Sequence, residues 1–157
     1  MKNIDRLIFF VMLILMTSVN VSVIGQTKVT LSAMKLNAGI ITPHLKETKE
    51  FYIRNFGFGV TFENEFYLLM HTPNHQAEIS FLLPNHPSQQ LVFQSPFQGS
   101  GIYLTIEVDD VDAEYKRIKV LGVPVIVDLR DEPWGDRHFA VKDPNGVGID
   151  IVTYNKN

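Results

Sequence analysis

The chain has 157 residues, 45% of them apolar and 20% charged, which is ordinary for a globular protein with one domain-sized core. Its net charge of −3 argues against nucleic acid as a partner, because the phosphate backbone rewards clustered Lys and Arg. The chain has no cysteine, which excludes disulfide bonds, a thiol nucleophile and a cysteine-ligated metal.

The first 25 residues belong to a different class of segment. Lys2 and Arg6 precede an apolar run over 7–16, and a softer stretch over 17–25 follows. A basic start, an apolar run of about ten residues and a softer end indicate a secretory signal peptide, cleaved near Gly25. The alternative is an uncleaved membrane anchor, but an anchor needs about 20 consecutive apolar residues and polar residues interrupt this run from Thr17 onward. We therefore expect an exported protein, periplasmic or secreted, that contacts a membrane only if this segment stays uncleaved.

A polar tether is predicted at 26–33, and a first module at 34–84. Its first strand, 36–42, alternates so that Asn37 points away from the face of Leu36. The helix that follows, 45–56, has apolar residues at helical spacing and ends at Gly57, which supplies a left-handed backbone. Further strands are predicted at 58–63, 66–71 and 77–83. The segment 85–100, rich in proline and without period, is predicted to be a linker.

The second module, at 101–155, repeats this order. Its first strand, 101–108, alternates cleanly and places Tyr103 on the more polar face. A helix is predicted at 111–121, with Asp109 or Asp110 as its N-cap and Gly122 at its end. Strands at 124–129, 137–142 and 147–153 complete the module. Because each helix covers one side of its own sheet, the opposite faces are left to line a cleft.

Three segments carry a family resemblance: LKETKEFYIRNFGF in the first module, and EVDDVDAEYKRIKVLGV and PWGDRHFAVKDPNGVGIDI in the second. In this order and spacing, residues 35–154 resemble the vicinal oxygen chelate superfamily, the glyoxalase, bleomycin-resistance and extradiol-dioxygenase group. The resemblance implies one α+β domain over 34–155, in which two βαβββ-type modules form a half-open curved mixed sheet around a central cleft, with the helices outside. It also implies a small-molecule ligand or substrate and a homodimer.

The resemblance also implies a candidate site. Metal-dependent members carry ligands on the first and last strands of each module, which correspond to Asn37 and Glu78 and to Tyr103 and Asp150 in this sequence. Strand alternation independently places these four residues on the faces opposite the helices. The two carboxylates can hold a divalent metal ion, but an amide and a phenol are poor ligands for zinc, iron or nickel. A metal site and a metal-free cleft with a carboxylate as general base therefore both stay open.

Three residues of the second module extend this candidate site. His138, on the strand after Trp134, is a candidate for acid–base chemistry or ligand contact, and the alternative is a hydrogen-bonded structural histidine. Trp134 and Arg137 are predicted to form a ligand wall with Tyr103, since aromatic and guanidinium groups stack on flat organic molecules.

Two functions follow from these expectations. The first is an exported, dimeric binder of a small organic molecule in the cleft between the modules, with no certain cofactor. The second is a metal-dependent lyase, isomerase or dioxygenase with an atypical ligand set. A third, purely structural or partner-binding role has no positive signal among the residues.

Overall fold

The computed structural model of the chain describes residues 34–154, so the predicted signal peptide and tether lie outside the described residues. The described part from Lys35 onward forms one compact unit. Its elements are, in chain order, β1 (Ala38–Ile41), α1 (Leu45–Phe56), β2 (Gly59–Glu63), β3 (Tyr67–His71), β4 (Glu78–Leu82), a 3₁₀-helix (Leu91–Phe93), β5 (Tyr103–Glu107), α2 (Val111–Val120), β6 (Val125–Asp131), β7 (Asp136–Lys142) and β8 (Gly148–Tyr154). Within this part, neither α-helix has the length and hydropathy needed to cross a bilayer.

Local sequence signals explain where both α-helices begin and end. α1 has the predicted bounds, and Gly57 ends it in a left-handed conformation with a φ of 67°. At the start of α2, the side chain of Asp110 accepts a hydrogen bond of 2.9 Å from the backbone N–H of Ala113. This identifies Asp110 as the N-cap. The second helix ends at Val120, one residue earlier than predicted.

The strands form two four-stranded sheets with the same topology. The strand order is β1-β4-β3-β2 in the first module and β5-β8-β7-β6 in the second. In each sheet the first and last strands of the module pair in parallel, and the remaining pairs are antiparallel. This repeat confirms the predicted α+β fold of two βαβββ-type modules. Among the described strands no hydrogen-bonded ladder joins β1 to β5, so the two sheets stay separate and do not close.

One hydrophobic core is shared by the two modules. It combines residues of the helix-facing sides of both sheets with residues of α1 and α2, among them Ile40, Tyr52, Leu68, Met70, Ile79 and Phe81 of the first module and Ile118, Phe139, Val141, Ile149 and Ile151 of the second. Burial of this much apolar surface is the main force that holds the modules together. Both helices therefore cover the core side of the sheets, and the other two faces are left open.

A buried polar cluster also connects the modules, and we call it the module joint. It consists of Thr42, Thr48 and Tyr52 of the first module and Asp143 and Asn145 of the β7–β8 turn. The hydroxyl of Tyr52 donates to Asp143 Oδ2 at 3.2 Å, and that of Thr42 donates to Asn145 Oδ1 at 2.6 Å. Burial, reinforced by the carboxylate of Asp143, raises the pKa of Tyr52, so its hydroxyl stays protonated as a donor.

Candidate functional site

The four residues predicted on the cleft faces all lie on the sides of the sheets away from the helices. Glu78 alternates along β4 with the core residue Ile79, and Asp150 alternates along β8 with core residues in the same way. Asn37 directly precedes β1, and Tyr103 is the first residue of β5. The strand alternation therefore predicted the faces correctly.

The two modules differ in the register of their parallel strands. The pairing of β1 with β4 sets Asn37 level with Glu78. In the second module, Tyr103 lies beside Gly148, and Asp150 is two residues farther along β8. The four residues predicted from the family pattern are therefore not related by the repeat, because Asp150 is not level with Tyr103 as Glu78 is with Asn37.

The turns before the last strands give the same result. A backbone hydrogen bond of 3.0 Å to the carbonyl of Ala77 closes the first turn, and one of 3.0 Å to the carbonyl of Val147 closes the second. Ser80 is three residues after Ala77, and Asp150 is three residues after Val147, so Ser80 is the structural counterpart of Asp150. Ser80 is buried and its hydroxyl donates to a backbone carbonyl of β1 at 3.3 Å, so the first module has a neutral group where the second has a carboxylate.

Glu78 is held by two partners within the first module. Its Oε2 lies 2.8 Å from the Nζ of Lys35, and its Oε1 accepts a hydrogen bond of 3.2 Å from Thr61. The hydrogen bond from Lys35 is the main reason that the pKa of Glu78 is lowered. Glu78 is therefore an ionised carboxylate, and its side chain is only 14% exposed.

A cavity of about 280 Å³ lies between edge strands β1 and β5, and we call it the intermodule cavity. Its wall comes from both modules. The first module supplies Ala38, Tyr52, Phe58, Thr72, Asn74, Gln76, Ala77, Glu78 and Ile79, and the second supplies Leu104, Thr105, Ile106 and Glu107. Glu78 is the predicted site residue in this wall, and Asp150 is not part of it. The cavity is mainly apolar with two carboxylates, a composition typical of small-molecule sites.

A second cavity, of about 520 Å³, lies on the open face of the first sheet. Asn37 and Ser80 supply polar groups to its wall, and Tyr67, Leu82 and Val92 supply apolar ones. Val92 belongs to the 3₁₀-helix of the segment that was predicted to be a linker without period. This segment therefore covers part of the open face of the first sheet.

On the second sheet, His138 stands between two carboxylates. Its Nδ1 lies 2.6 Å from Asp150 Oδ1, and its Nε2 lies 3.0 Å from Glu132 Oε1. Arg130 holds the same oxygen of Glu132 at 2.7 Å. Burial alone would lower the pKa of His138, but the hydrogen bonds to Asp150 and Glu132 outweigh it and raise the pKa. Because both ring nitrogens are engaged, this arrangement favours a charged, structural histidine over a general base.

The predicted ligand wall of Trp134, Arg137 and Tyr103 is not assembled. Arg137 alternates with His138 along β7 and therefore points to the helix side, where its guanidinium binds Asp112 of α2 through two hydrogen bonds of 2.7 and 2.8 Å. Trp134 and Tyr103 are both about 70% exposed. Arg137 thus holds α2 against the β6–β7 hairpin. Of the three residues, only Tyr103 lies on the cleft face of a strand.

The predicted metal ligands do not fit a divalent ion. Glu78 already binds an ammonium and Asp150 an imidazole, while Asn37 and Tyr103 offer an amide and a phenol, which bind metals weakly. Between residues 34 and 154, no three His, Asp or Glu side chains come together as a metal-binding group.

Strand periodicity could have identified two residues of this site that were not selected from the sequence. Lys35 is two residues before Asn37, and Glu107 is four residues after Tyr103, so alternation places both on the cleft faces. Glu132 lies at the tip of a hairpin, where no periodicity applies, so its contact with His138 could not be predicted from strand alternation.

A family model for the Glyoxalase/Bleomycin resistance protein/Dioxygenase superfamily matches residues 34–151 of the chain. Uncharacterised proteins of Mycobacterium bovis and Mycobacterium tuberculosis are 40% identical to it over 48 residues, which is 31% of this chain. The match spans 32% of the M. bovis protein and 28% of the M. tuberculosis protein, so the chain covers about a third of these curated relatives.

Solved structures show the same fold. A superfamily member from Sphaerobacter thermophilus is 25% identical, with a TM-score of 0.62 over 78% of this chain and 98% of that one. TnmS3, an antibiotic binding protein from Streptomyces sp. CB03234, is 21% identical, with a TM-score of 0.63 over 79% and 98% of the two chains. A bleomycin resistance determinant encoded on the transposon Tn5 is 17% identical, with a TM-score of 0.59 over 79% and 100%.

Proposed function

The chain belongs to the Glyoxalase/Bleomycin resistance protein/Dioxygenase superfamily, and we propose that it binds a small organic molecule in the intermodule cavity. The observation that carries this proposal is the cavity itself, which has a mainly apolar wall from two modules and a volume of about 280 Å³. Small-molecule sites usually combine such walls with a few polar groups that orient the ligand. Glu78 and Glu107 are the charged groups in this wall.

Two further points support binding over metal-dependent chemistry. Glu78 lines the intermodule cavity and Asp150 does not, and His138 engages the carboxylate of Asp150, so the two carboxylates do not converge on one metal ion. Two structures of the same fold are described as an antibiotic binding protein and a bleomycin resistance determinant, which is support by analogy.

NMR titration of the full-length chain with 2-phenylethanol, a small neutral aromatic probe, tests the proposal. We expect shifted amide signals at Ala38, Glu78 and Thr105, because these residues line the cavity. The Thr105→Trp variant fills the cavity from its wall and should weaken binding by at least about tenfold, or 1.4 kcal/mol. Val120→Trp is the matched control, since Val120 is 87% exposed on α2 and should not affect binding. Shifts confined to other surfaces, or equal binding by both variants, would contradict the proposal.

We also propose that the protein is exported and forms a homodimer. The signal-peptide pattern of residues 1–25 supports export. The dimer is supported by the family and by exposed apolar side chains at Leu91 and Val92, which are 83% and 75% exposed. Light scattering should give twice the mass of one chain, and N-terminal sequencing after bacterial expression should begin just after Gly25. A monomeric mass contradicts the dimer, and an intact Met1 contradicts processing.

A further inference from the structure

We infer that the ligand of the intermodule cavity carries a positively charged amine. This amine displaces Lys35 from the carboxylate oxygen of Glu78 that Lys35 now holds. The inference rests on the proposed function and adds to it the chemical class of the ligand. Lys35 is then an internal competitor, so the protein's own ammonium group sets how tightly a cationic ligand binds.

The first support is the way Glu78 is engaged. Its carboxylate belongs to the cavity wall, and Oε2 already accepts an ammonium group, the Nζ of Lys35, at 2.8 Å. Thr61 donates to the other oxygen at 3.2 Å and fixes the orientation of the carboxylate. Lys35 is not part of the cavity wall, and its side chain is 61% exposed. Ion pairs with one such exposed partner are weak, so a ligand can displace Lys35 at little cost.

The second support is the charge of the cavity. Glu107 adds a carboxylate from β5 to the same wall, and no described side chain forms a hydrogen bond or ion pair with it. A neutral ligand would bury the Glu107 carboxylate without a partner, which costs free energy, whereas a cation pairs with it and can also replace Lys35 on Glu78. Ala38, Ile79 and Leu104 in the same wall suit an apolar body, and Asn74 and Gln76 add neutral polar groups. Together these features fit an apolar or aromatic amine.

The test compares phenethylamine, which is a cation at neutral pH, with its neutral counterpart 2-phenylethanol on the full-length chain. We expect the amine to bind roughly tenfold more tightly, because its ammonium group forms an ion pair with Glu78 as well as a hydrogen bond. The Lys35→Ala variant should bind the amine roughly two- to fivefold more tightly than the wild type, the range expected for losing an exposed ion pair. Its affinity for the alcohol should not change.

Glu78→Gln completes the cycle. It should reduce the preference for the amine to the part that Glu107 supplies, and Lys35→Ala should then have no effect in the Glu78→Gln background, since Lys35 and Glu78 act through one contact. Lys49→Ala is the matched control: it breaks the ion pair between Lys49 and Glu63, which lies away from the intermodule cavity, and removes the same charge. Titrations followed by calorimetry give all of these affinities.

The outcomes separate the two proposals. If 2-phenylethanol binds and Thr105→Trp blocks it, but the amine has no advantage, the amine inference is wrong and the binding function stands. If Lys35→Ala tightens amine binding no more than Lys49→Ala does, the competition is wrong and the effect is one of net charge. If neither compound shifts cavity residues in the wild type, the proposed function itself fails. Lys35→Ala alters an exposed side chain, so this variant is expected to fold.

Discussion

At the residue scale, His138 shows how a side chain that the sequence makes a candidate for acid–base chemistry can have a structural role instead. The sequence placed it on the strand after Trp134 and left two roles open. In the structure, hydrogen bonds to Asp150 and Glu132 occupy both ring nitrogens, and only a protonated imidazole donates to both carboxylates at once. The pKa of His138 is therefore raised above its usual value, although burial opposes the change.

This raised pKa predicts how stability depends on pH. In the unfolded chain the pKa of a histidine is about 6.5, and in the folded chain that of His138 is higher. The stabilisation is therefore fully present below about pH 6.5 and is lost as the pH rises through the folded-state value. Urea unfolding at a series of pH values should show this loss in the wild type and a flatter profile in His138→Gln. Equal profiles would mean that His138 is not the group responsible.

At the scale of the elements, hydrophobic and polar alternation predicted the helices, the strands and their faces, but not the register between strands. Glu78 and Asp150 were both assigned from the family pattern, and the structure places Ser80 at the level of Asp150. A shift of two residues leaves every side chain on its original face, so alternation cannot detect it. The hydrogen-bonded pairing of β1 with β4 and of β5 with β8 reveals it, and so does the closure of the two turns.

The linker shows a second limit of prediction from sequence. Residues 85–100 have no period because the single turn at Leu91–Phe93 is too short to produce one. Its position over the first sheet depends on contacts with distant residues, such as the backbone hydrogen bond of 2.8 Å from Phe97 to Ile41. The cavity that contains Asn37 therefore could not be predicted from the local sequence.

At the scale of the whole molecule, the module joint connects α1 with the β7–β8 turn. The Asp-Pro-Asn-Gly sequence at 143–146 has the composition of a turn, and it connects β7 to β8. The structure adds a second role, since the side chains of Asp143 and Asn145 accept hydrogen bonds from Tyr52, Thr42 and Thr48 of the other module. Pairing of the two modules within one chain thus has a polar component besides the shared core.

A double-mutant cycle tests the joint. Tyr52→Phe should reduce the free energy of unfolding by about 1 kcal/mol, the usual net value of a hydrogen bond. Asp143→Ala should cost more, about 2–3 kcal/mol, because it also leaves backbone N–H groups of the turn without an acceptor. The double variant should cost less than the sum of the two, measured by urea unfolding.

The control for this cycle is Tyr115→Phe. Tyr115 also pairs with an aspartate, Asp128, but this pair lies within the second module and is exposed, so its loss should cost less than about 0.5 kcal/mol. Strict additivity of Tyr52→Phe and Asp143→Ala would show that the modules are held by the apolar core without a contribution from this contact.

The same joint contains an Asn-Gly pair, the sequence in which the glycine nitrogen can displace ammonia from the asparagine amide to form a cyclic imide, which water then opens to an acid. Here the nitrogen of Gly146 donates to the carbonyl of Asp143 at 3.0 Å, and the amide of Asn145 donates to Asp143 and Thr48 at 2.8 and 3.1 Å. Conversion would replace that donor with a second negative charge beside Asp143. Deamidation of the protein would thus begin at the contact between its two modules. It would be slow for as long as the hydrogen bonds of that contact remain formed.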